Sequence, residues 1–417
     1  MNGPAVRRLP ALENRRFRSL LLLLGGVPIS LFYVWGGLVQ PILLGGGLGD
    51  FQESYMRAAR RLVAGDDPYD LCRTMGCLEP TGPQYVTPPP LAWLLQPFVS
   101  VDSHVVAVGA ILVLNASLLL FILCAIRALD VRDWQMRALL ALVAISFEPV
   151  IGNIDEGQVN LVLLALSGLW LWSWVTDRWW GGAALGVAVA VKLIQAPVGL
   201  LVLWRRRWAM AAAAALAGLA LWLVAAPQYL YEYLSSVFPA ISQGTGLFEN
   251  RSPGGTITRL LEPDSFLGAV RGSPPVARAL TAAIAVLAVV VTLLVLRSPA
   301  AGRMGKALEA AAIVAMTPLV ASYSWGTHLV LLLLPLLVLI TWSARRRDWT
   351  VVAMIIAAWI LIGVGHNAMQ TLLVSGGYNL VVLRLLAETG TAGITILWLA
   401  SLVAVRREAS TARREAR

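Results

Sequence analysis

Residues 45–69, GGGLGDFQESYMRAARRLVAGDDPY, come directly after the first long apolar run of the chain. If that run crosses a bilayer, this stretch lies just outside it. At helical spacing Phe51, Tyr55 and Leu62 share one face, and charged side chains occupy the opposite face. The pattern predicts an amphipathic helix that lies on a membrane surface and ends at Gly65.

Asp50 stands at the first turn of this predicted helix, after a glycine-rich run. With Glu53 three residues later it matches a capping box, in which the carboxylate accepts hydrogen bonds from free backbone N–H groups. The alternative is a carboxylate that faces a substrate delivered at the membrane surface. The local sequence favours the cap, and the rest of the chain is needed to choose.

The composition is that of a membrane protein. Of the 417 residues, 58% are hydrophobic and 13% are charged, whereas about 25% of the residues of soluble domains are charged. We therefore predict a single polytopic, integral membrane domain over residues 1–417. The net charge of +10 comes mostly from arginine clusters at the ends of apolar runs, which orient membrane spans and do not indicate nucleic acid.

The arginine clusters predict which span ends are cytoplasmic. The basic N-terminus, residues 1–19, is predicted to be cytoplasmic, as is a charged, disordered tail at 406–417. Long external loops are predicted at 45–90 and 227–275. About ten full spans are predicted, at residues 20–44, 105–126, 134–151, 159–174, 209–226, 276–296, 307–321, 329–342, 351–364 and 380–405.

Two apolar segments do not fit a simple crossing. Residues 91–99 follow three prolines and are too short to span, so we predict a re-entrant or surface segment. Residues 181–204 could cross once, but this would leave Arg205–Arg207 outside. Breaks at Lys192 and Pro197 instead predict two short arms that both return to the cytoplasmic side, with Lys192 near the bend.

With this topology, the unusual polar residues gather at the outer surface, and the cytoplasmic side carries only short basic loops. Polar chemistry in outer loops against a bilayer is typical of an enzyme that acts on lipid-linked substrates. A transporter or flippase of lipids or glycans would place polar groups at the midplane of two related halves, and Lys192 is the support for that alternative. A structural scaffold would leave the outer polar residues unexplained.

Six stretches of sequence carry a family resemblance. They are Asp50 and Tyr55 with Gly65, Asp67, Pro68 and Tyr69; Tyr85-Val86-Thr87-Pro88-Pro89; Gly157-Gln158-Val159-Asn160; Lys192 and Pro197 with Arg205-Arg206-Arg207-Trp208; Asn250-Arg251-Ser252 with Arg259-Leu260; and Ser324-Trp325 with His328. In this order they resemble the motifs of the polyprenyl-phosphate-dependent glycosyltransferases of the GT-C superfamily, and within it the GT87 group of bacterial membrane mannosyltransferases. Thr87 departs from the pattern, which has a second tyrosine there.

The resemblance implies an all-α, GT-C-like bundle of about 10–13 transmembrane helices. It implies transfer of a sugar, mannose in α-linkage, from polyprenyl phosphate to a lipid- or glycan-linked acceptor, with polyprenyl-phosphate arabinose as an alternative donor. The expected partners are these two substrates and membrane lipids, and no cofactor, metal or nucleic acid is expected. The site is predicted to face outward from a bacterial plasma membrane, with both termini cytoplasmic.

Asp50 is the predicted catalytic residue. An acceptor hydroxyl is a poor nucleophile and needs a carboxylate to take its proton, whereas a leaving phosphate needs positive charge. We predict Asp50 as the general base of a single, inverting displacement, which requires no second carboxylate as nucleophile. Asp66 and Asp67 are alternative bases, although Asp-Asp-Pro-Tyr is also typical of a turn.

Three residues are candidates for contact with the donor phosphate or the acceptor. Lys192, a charge inside an apolar segment, is predicted to contact phosphate unless its side chain snorkels to the cytoplasmic interface. Arg259 is predicted to bind phosphate, and the alternative is an ion pair with Glu249 or Glu262. His328 is predicted to contact the phosphate or the acceptor, and the alternative is a packing role.

The other substrate-binding predictions concern hydrogen bonding to sugars and stacking on them. The hydrogen-bonding candidates are Gln158, Asn160, Asn250 and Ser252, and the stacking candidates are Tyr55, Tyr85 and Trp325. For Gln158 and Asn160 the alternative is helix-end capping and bonding between helices. For the aromatic residues it is anchoring at the membrane interface.

Cys72 and Cys77 lie close together in the first external loop, with no third cysteine or histidine nearby. A small-loop disulfide is therefore predicted in place of metal ligation. Cys124 lies in an apolar run and is predicted to be inert packing. The Asp155–Glu156 pair is predicted to be a solvated turn.

Overall fold

The chain is helical throughout the residues described. The computed structural model describes residues 15–44, 48–75, 77, 84–267, 272–375 and 380–415, and these ranges contain helices and no β-strand. The prediction of an all-α, polytopic membrane protein is confirmed. A helix satisfies the hydrogen bonds of its own backbone, which an apolar segment in a bilayer requires.

The helices are numbered in chain order. They are α1 (Arg15–Val34), α2 (Arg57–Ala64), α3 (Pro89–Leu95), α4 (Ser103–Ala128), α5 (Trp134–Ile145), α6 (Glu148–Asp155), α7 (Asn160–Val175), α8 (Gly181–Val191), α9 (Val198–Trp204), α10 (Trp208–Val224), α11 (Pro253–Leu261), α12 (Pro275–Val295), α13 (Gly302–Val320), α14 (Leu333–Arg346), α15 (Trp349–Ser375) and α16 (Leu380–Glu415). Short helical turns that lie between them are not numbered.

Five helical stretches among the described residues are long and apolar enough to cross a bilayer. They are Leu22–Leu43, Ser103–Ala128, Pro275–Val295, Gly326–Arg346 and Leu380–Thr411. Two bent pairs raise the number to seven: α5 with α6, bent by 50°, and α10 with the turns of Pro227–Ser242, bent by 100°. The predicted number was about ten. It differs because the segments predicted at 159–174 and 351–364 form shorter apolar helices, Asn160–Val175 and Trp349–Gly363, and because α13, over the segment predicted at 307–321, is not among the seven.

Helices α8 and α9 form a hairpin whose arms are separated at Lys192, where the backbone is extended. At the start of α8, the Gly181 N–H donates to Ser173 Oγ over 2.9 Å. After α9, Arg207 Nη1 donates to the carbonyl of Trp174 over 3.1 Å. Both ends of the hairpin therefore meet the same end of α7. The two short arms are arranged as predicted, with Lys192 at the tip.

The bundle has two chemically different ends. Arg207 lies at one of them, and so does Arg345, which donates to the carbonyl of Leu129 just after α4. We call this the basic end. The other end, where α4 begins and where Gln52 donates to the carbonyl of Ser103 over 3.2 Å, is called the cavity end.

The predicted amphipathic helix that follows the first apolar run is present but packs differently from the prediction. A π-helical turn, Phe51–Met56, leads into α2, which ends at Gly65 in the left-handed conformation with φ of 79°. Phe51 and Tyr55 are buried in the protein core, because α3 and the loop before α7 cover this face. The prediction that this face lies on the membrane surface is therefore wrong.

The C-terminal residues also differ from the prediction. Residues 406–415 continue helix α16 and are not a disordered tail. Glu408 pairs with Arg346 over 3.0 Å, and Arg407 pairs with Asp348. These ion pairs fasten the last turns of α16 to the loop that joins α14 and α15, so charge here supports the helix where the sequence suggested disorder.

Candidate active site

A cavity of about 1000 Å³ opens at the cavity end of the bundle. Among the predicted site residues, those that line it are Asp50, Tyr55, Gln158, Lys192, Trp325 and His328. They come from the segment before α2, the start of α7, the tip of the α8–α9 hairpin and the turn before α14. The structure thus joins residues that are far apart in the sequence, and it places Lys192 away from the basic end. The Lys192 side chain therefore does not snorkel to the basic end, because its Nζ is bonded to Gln158 and Asn160.

Gly157 allows the loops around Asp50 and Gln158 to approach each other. Its φ is 66°, and a Cβ added there would lie 2.5 Å from Cβ of Phe51. The Phe51 N–H donates to the carbonyl of Glu156 over 3.1 Å. A larger residue at position 157 would push these loops apart, because it would be strained and would clash with Phe51.

The side chain of Gln158 connects the charged residues of the site. Its Nε2 donates to Asp50 Oδ2. Its Oε1 accepts from the Tyr55 hydroxyl over 2.7 Å and from Lys192 Nζ over 3.3 Å. Lys192 Nζ also donates to Asn160 Oδ1 over 3.0 Å. We call Asp50, Gln158, Lys192, Tyr55 and Asn160 the Asp50 cluster.

Asp50 is not a helix cap. Its backbone is already helical, with φ of −66° and ψ of −35°, and its side chain makes no capping hydrogen bond. Because the carboxylate is occupied by Gln158 at the cavity wall, the capping alternative is wrong. Burial raises the pKa of the Asp50 carboxyl above its ordinary value of 3.8, although the nearby Lys192 charge and the Gln158 hydrogen bond lower it.

The cavity wall facing Asp50 is acidic. Glu148, Asp155, Glu156 and Glu249 line it. Burial raises the pKa of Glu156 to about 7, and the charges of Asp50 and Glu249 add to this rise. Burial also raises the pKa of Glu249. Part of each side chain of Asp155 and Glu156 is exposed to solvent, as the predicted solvated turn requires. The prediction missed that both also face the cavity, whose walls partly bury the Glu156 carboxyl group.

His328 and Trp325 occupy the far side of the cavity. His328 is buried, and its Nδ1 accepts from the Trp325 N–H over 3.3 Å. In a neutral imidazole this leaves the proton on Nε2. The ring of Tyr323 lies 5.8 Å from that of His328 and also lines the cavity. Sequence reasoning missed Tyr323, although it precedes the Ser324-Trp325 motif.

Glu148 and Arg251 were also missed. Glu148 is a charge inside a predicted span, a signal that marks functional positions. Arg251 lies between Asn250 and Ser252, which were both singled out, and only 2% of its surface is exposed. Its positive charge lowers the pKa of Glu249 in the acidic wall. It also donates to the carbonyl of Ala387 over 3.1 Å.

Arg259, Asn250 and Ser252 do not line the cavity. Arg259 donates to Glu388 over 2.8 Å and to the carbonyl of Asn250 over 2.9 Å. Arg259 therefore joins α11 and the loop before it to α16. The sequence suggested an ion pair with Glu249 or Glu262, but the carboxylate partner is Glu388. The structure does not place Arg259 where it could meet a donor phosphate at Asp50.

Asn250 and Ser252 make loop contacts too. Asn250 Oδ1 accepts from the N–H of Ser324 over 2.9 Å and from that of Ser252 over 3.1 Å. Ser252 caps α11 through the N–H of Gly255 and donates to the carbonyl of Ser322. We call Arg259, Asn250 and Ser252 the Arg259 cluster. The hydrogen bonds of this cluster go to other groups of the protein, and none of its three residues lines the cavity.

Tyr85 is buried beneath the cavity wall and does not line it. Its hydroxyl donates to the carbonyl of Pro88 over 2.6 Å and accepts from the Ala92 N–H over 3.0 Å. The ring packs against Tyr55 and Tyr69 at centroid distances of 6.4 Å and 5.5 Å. These contacts hold the turn before α3 and leave no face for a sugar.

The cysteines of the first loop are bonded to each other. Cys72 and Cys77 form a disulfide, and Cys124 is free and buried. Cys77 also lines the cavity. Within the described ranges, no group of three or more His, Cys, Asp or Glu side chains is arranged to hold a metal ion.

Comparison with known sequences gives one family and two relatives. The profile of Glycosyltransferase family 87 matches residues 85–322. A Mycobacterium tuberculosis (strain CDC 1551 / Oshkosh) protein, named polyprenol-phosphate-mannose-dependent alpha-(1-2)-phosphatidylinositol pentamannoside mannosyltransferase, is 31% identical over 236 residues, covering 52% of this chain and 51% of the relative. A Mycolicibacterium smegmatis (strain ATCC 700084 / mc(2)155) protein of the same name is 36% identical over 129 residues, covering 29% and 30%. The chain thus spans about half the length, or less, of the curated relatives it matches.

Proposed function

The chain belongs to glycosyltransferase family 87, and we propose that it transfers mannose from polyprenyl-phosphate mannose to a hydroxyl of a lipid-linked mannoside. Both relatives are named for this donor and for a phosphatidylinositol pentamannoside acceptor. The reaction takes place at the cavity end, on the extracytoplasmic face. The new linkage is α, and the configuration of the transferred sugar is inverted.

The observation that carries this proposal is the carboxylate of Asp50 at the wall of the large cavity. One of its oxygens accepts from Gln158, which orients the group, and burial raises its pKa. A raised pKa makes a carboxylate a stronger base toward a hydroxyl proton. Asp50 therefore acts as the general base.

The transfer of mannose is a single displacement at the anomeric carbon. The acceptor oxygen attacks the anomeric carbon as its proton passes to Asp50, and the bond between that carbon and the phosphate oxygen breaks. The electron pair of the broken bond leaves with polyprenyl phosphate. Lys192 Nζ, bound to Gln158 and Asn160, supplies positive charge where negative charge develops.

The acidic wall supports a neutral, polyhydroxylated acceptor. The carboxylates of Glu148, Asp155, Glu156 and Glu249 face the same space as Asp50. An ionised carboxylate accepts hydrogen bonds, and a carboxyl group such as that of Glu156, whose pKa is raised to about 7, can also donate one when it is protonated. Sugar hydroxyls donate to such groups, so the mannose end of a glycolipid suits this wall, whereas its phosphate would stay near the bilayer surface. Trp325 offers an aromatic face to a sugar ring.

The test uses proteoliposomes that contain the full chain, labelled polyprenyl-phosphate mannose and a mannosylated phosphatidylinositol acceptor. We expect a labelled product whose new linkage is α by NMR. In the Asp50→Asn variant we expect the rate to fall about a thousandfold, within the range for removal of a general base. Asp66→Asn is the matched control, because Asp66 is exposed and does not line the cavity.

Three outcomes would contradict the proposal. A folded Asp50→Asn variant with the normal rate would remove Asp50 from the chemistry. Transfer from polyprenyl-phosphate arabinose and not from the mannose donor would change the substrate. Movement of intact labelled lipid across the bilayer, with no new glycosidic bond, would identify a flippase.

A further inference from the structure

A second cavity lies at the basic end of the bundle, where the proposed transfer does not reach. Helices α5, α14 and α15 enclose it, and its volume is about 500 Å³. Its wall is mostly apolar, with Val143, Leu336 and Ile340 among the lining residues. Cavities of roughly 300–1,000 Å³ are typical of small-molecule sites. Filling of this cavity by the acyl chains of bulk lipid would leave the buried polar group in its wall without a hydrogen-bond partner.

That polar group is the hydroxyl of Ser343. Ser343 is 1% exposed and lines the cavity. Its Oγ has no hydrogen-bond partner among the residues described. The indole N–H of Trp359, on the opposite wall of the cavity, also has no hydrogen-bond partner among the residues described. Buried polar groups of native proteins are nearly always paired, so a ligand with an acceptor oxygen would complete this site.

The mouth of the cavity carries a positive charge. Arg347 lines it, is exposed, and follows the end of α14 in the left-handed conformation with φ of 54°. Its neighbours Arg345 and Arg346 are committed, the first to the carbonyl of Leu129 and the second to Glu408. The described part of the chain provides no carboxylate within ion-pair distance of Arg347, so its charge is available to an anionic ligand at the mouth of the cavity.

The order of these groups along α14 matches one class of molecule. Leu336, Ile340, Ser343 and Arg347 are spaced by four, three and four residues and line one cavity. At the helical rise, Ser343 lies about 6 Å deeper than Arg347. A cation, then a hydroxyl donor, then apolar surface corresponds to the phosphate, ester carbonyl and acyl chain of a glycerophospholipid. Trp349, 64% exposed at the same mouth, suits the interface.

We propose that this cavity binds one acyl chain of an anionic glycerophospholipid, with the headgroup phosphate on Arg347 and an ester carbonyl accepting from Ser343 Oγ. A polyprenyl phosphate fits less well, because it has no ester carbonyl for Ser343. Ser146 lines both cavities. The far end of the acyl chain therefore packs behind the bend between α5 and α6, the element that presents Glu148 to the active site.

The first test is native mass spectrometry of the full chain in detergent, titrated with phosphatidylglycerol or phosphatidylcholine. We expect one tightly bound phosphatidylglycerol per wild-type chain and about tenfold weaker binding in Arg347→Gln, the effect of a lost charged hydrogen bond. Arg206→Gln is the matched control, because Arg206 is also exposed, left-handed with φ of 53° and near the basic end, but does not line the cavity. Equal weakening in both variants, or no preference for the anionic lipid, would overturn the proposal.

The second test separates the ester contact from charge. Wild type is expected to prefer the diester lipid to its diether analogue by about fivefold, the scale of one hydrogen bond, and Ser343→Ala is expected to lose this preference. In a third variant, Val143→Trp, the larger side chain fills the cavity and should abolish phosphatidylglycerol binding. If it instead abolished binding of a polyprenyl phosphate and left phosphatidylglycerol bound, the cavity would hold the donor chain, and the proposal would be wrong.

Discussion

The Asp50 cluster and the Arg259 cluster have similar compositions but different surroundings. Each contains at least one charged side chain and at least one amide side chain, and both lie toward the cavity end of the bundle. In the first, Gln158 holds Asp50 and Lys192 at the wall of a large cavity. In the second, Arg259 and Asn250 direct their hydrogen bonds at loop carbonyls and at α16. One cluster faces the cavity that we propose holds the substrates, and the other joins the loop beside that cavity to α16.

The type of a polar residue in a loop therefore does not show whether its side chain faces the cavity or stabilises the fold. Arg259 has a side chain that is 4% exposed and a full set of acceptors. A phosphate would have to displace those acceptors, at the cost of leaving buried groups unpaired. Lys192 is also buried, but it lines the cavity and its partners are neutral amides. It can therefore add an anionic partner without losing an ion pair.

The two clusters predict different results when the positive charge of each is removed. Lys192→Met keeps the length of the side chain and removes its charge. We expect kcat to fall about a hundredfold, as for loss of one group that stabilises transition-state charge. The measurement is initial-rate transfer in proteoliposomes, normalised to folded protein. A rate within threefold of wild type would show that Lys192 is not part of the reacting centre.

Arg259→Gln should have the opposite profile. We expect unfolding to become easier by about 2 kcal/mol, since a largely buried ion pair and two carbonyl contacts are lost. Transfer per folded molecule should stay within about twofold of wild type at temperatures where the variant is folded, because Arg259 does not line the cavity. Thermal denaturation followed by activity separates the two effects.

Arg384→Gln is the matched control for this variant, because Arg384 is exposed, lies near Glu388 at the same end of α16 and donates to the carbonyl of Pro263, just after α11. It should change neither stability nor rate by a measurable amount. If Arg259→Gln lost activity while keeping its melting temperature, Arg259 would belong to the substrate site.

The smallest expected effect is a gain in the stability of the folded protein when the charge of Asp50 is removed. The folded-state pKa of Asp50 is raised by burial, so the folded protein binds a proton that the unfolded chain releases, and stability falls as pH rises between the two pKa values. Asp50→Asn resembles the protonated form. We expect its melting temperature to exceed that of wild type at neutral pH and to match it in acid, below pH 3.8. A lower melting temperature at neutral pH would contradict this.

The sequence predicted the helical class, the break at Lys192 and the grouping of Asp50 with Gln158 and His328. Apolar runs and arginine clusters are strong signals, because desolvation of a helix and of a charge each cost a great deal. The packing of α2 could not be predicted in this way. An apolar helix face is the same whether it meets lipid or protein, and only the fold shows that Phe51 is covered.

The site was harder to predict than the fold. Tyr85 and Arg259 matched motifs, yet their hydrogen bonds are satisfied inside the protein. Tyr85 bonds to Pro88 and Ala92 in the turn and helix that follow it. Arg259 bonds to Asn250 and to Glu388 of α16. Glu148 and Glu249 line the cavity although no motif marked them. Which of two polar loop residues faces a cavity depends on how helices cross, and the spacing of residues within one segment does not carry that information.

The most direct test of the central role of the Asp50 cluster is the pH dependence of kcat/KM in wild type and in Lys192→Met. A general base must be ionised, so activity should appear as pH rises through the pKa of Asp50, above the ordinary 3.8. The charge of Lys192 lowers that pKa, so its removal should move the acid limb to higher pH. An acid limb at the same pH in both proteins would contradict the account.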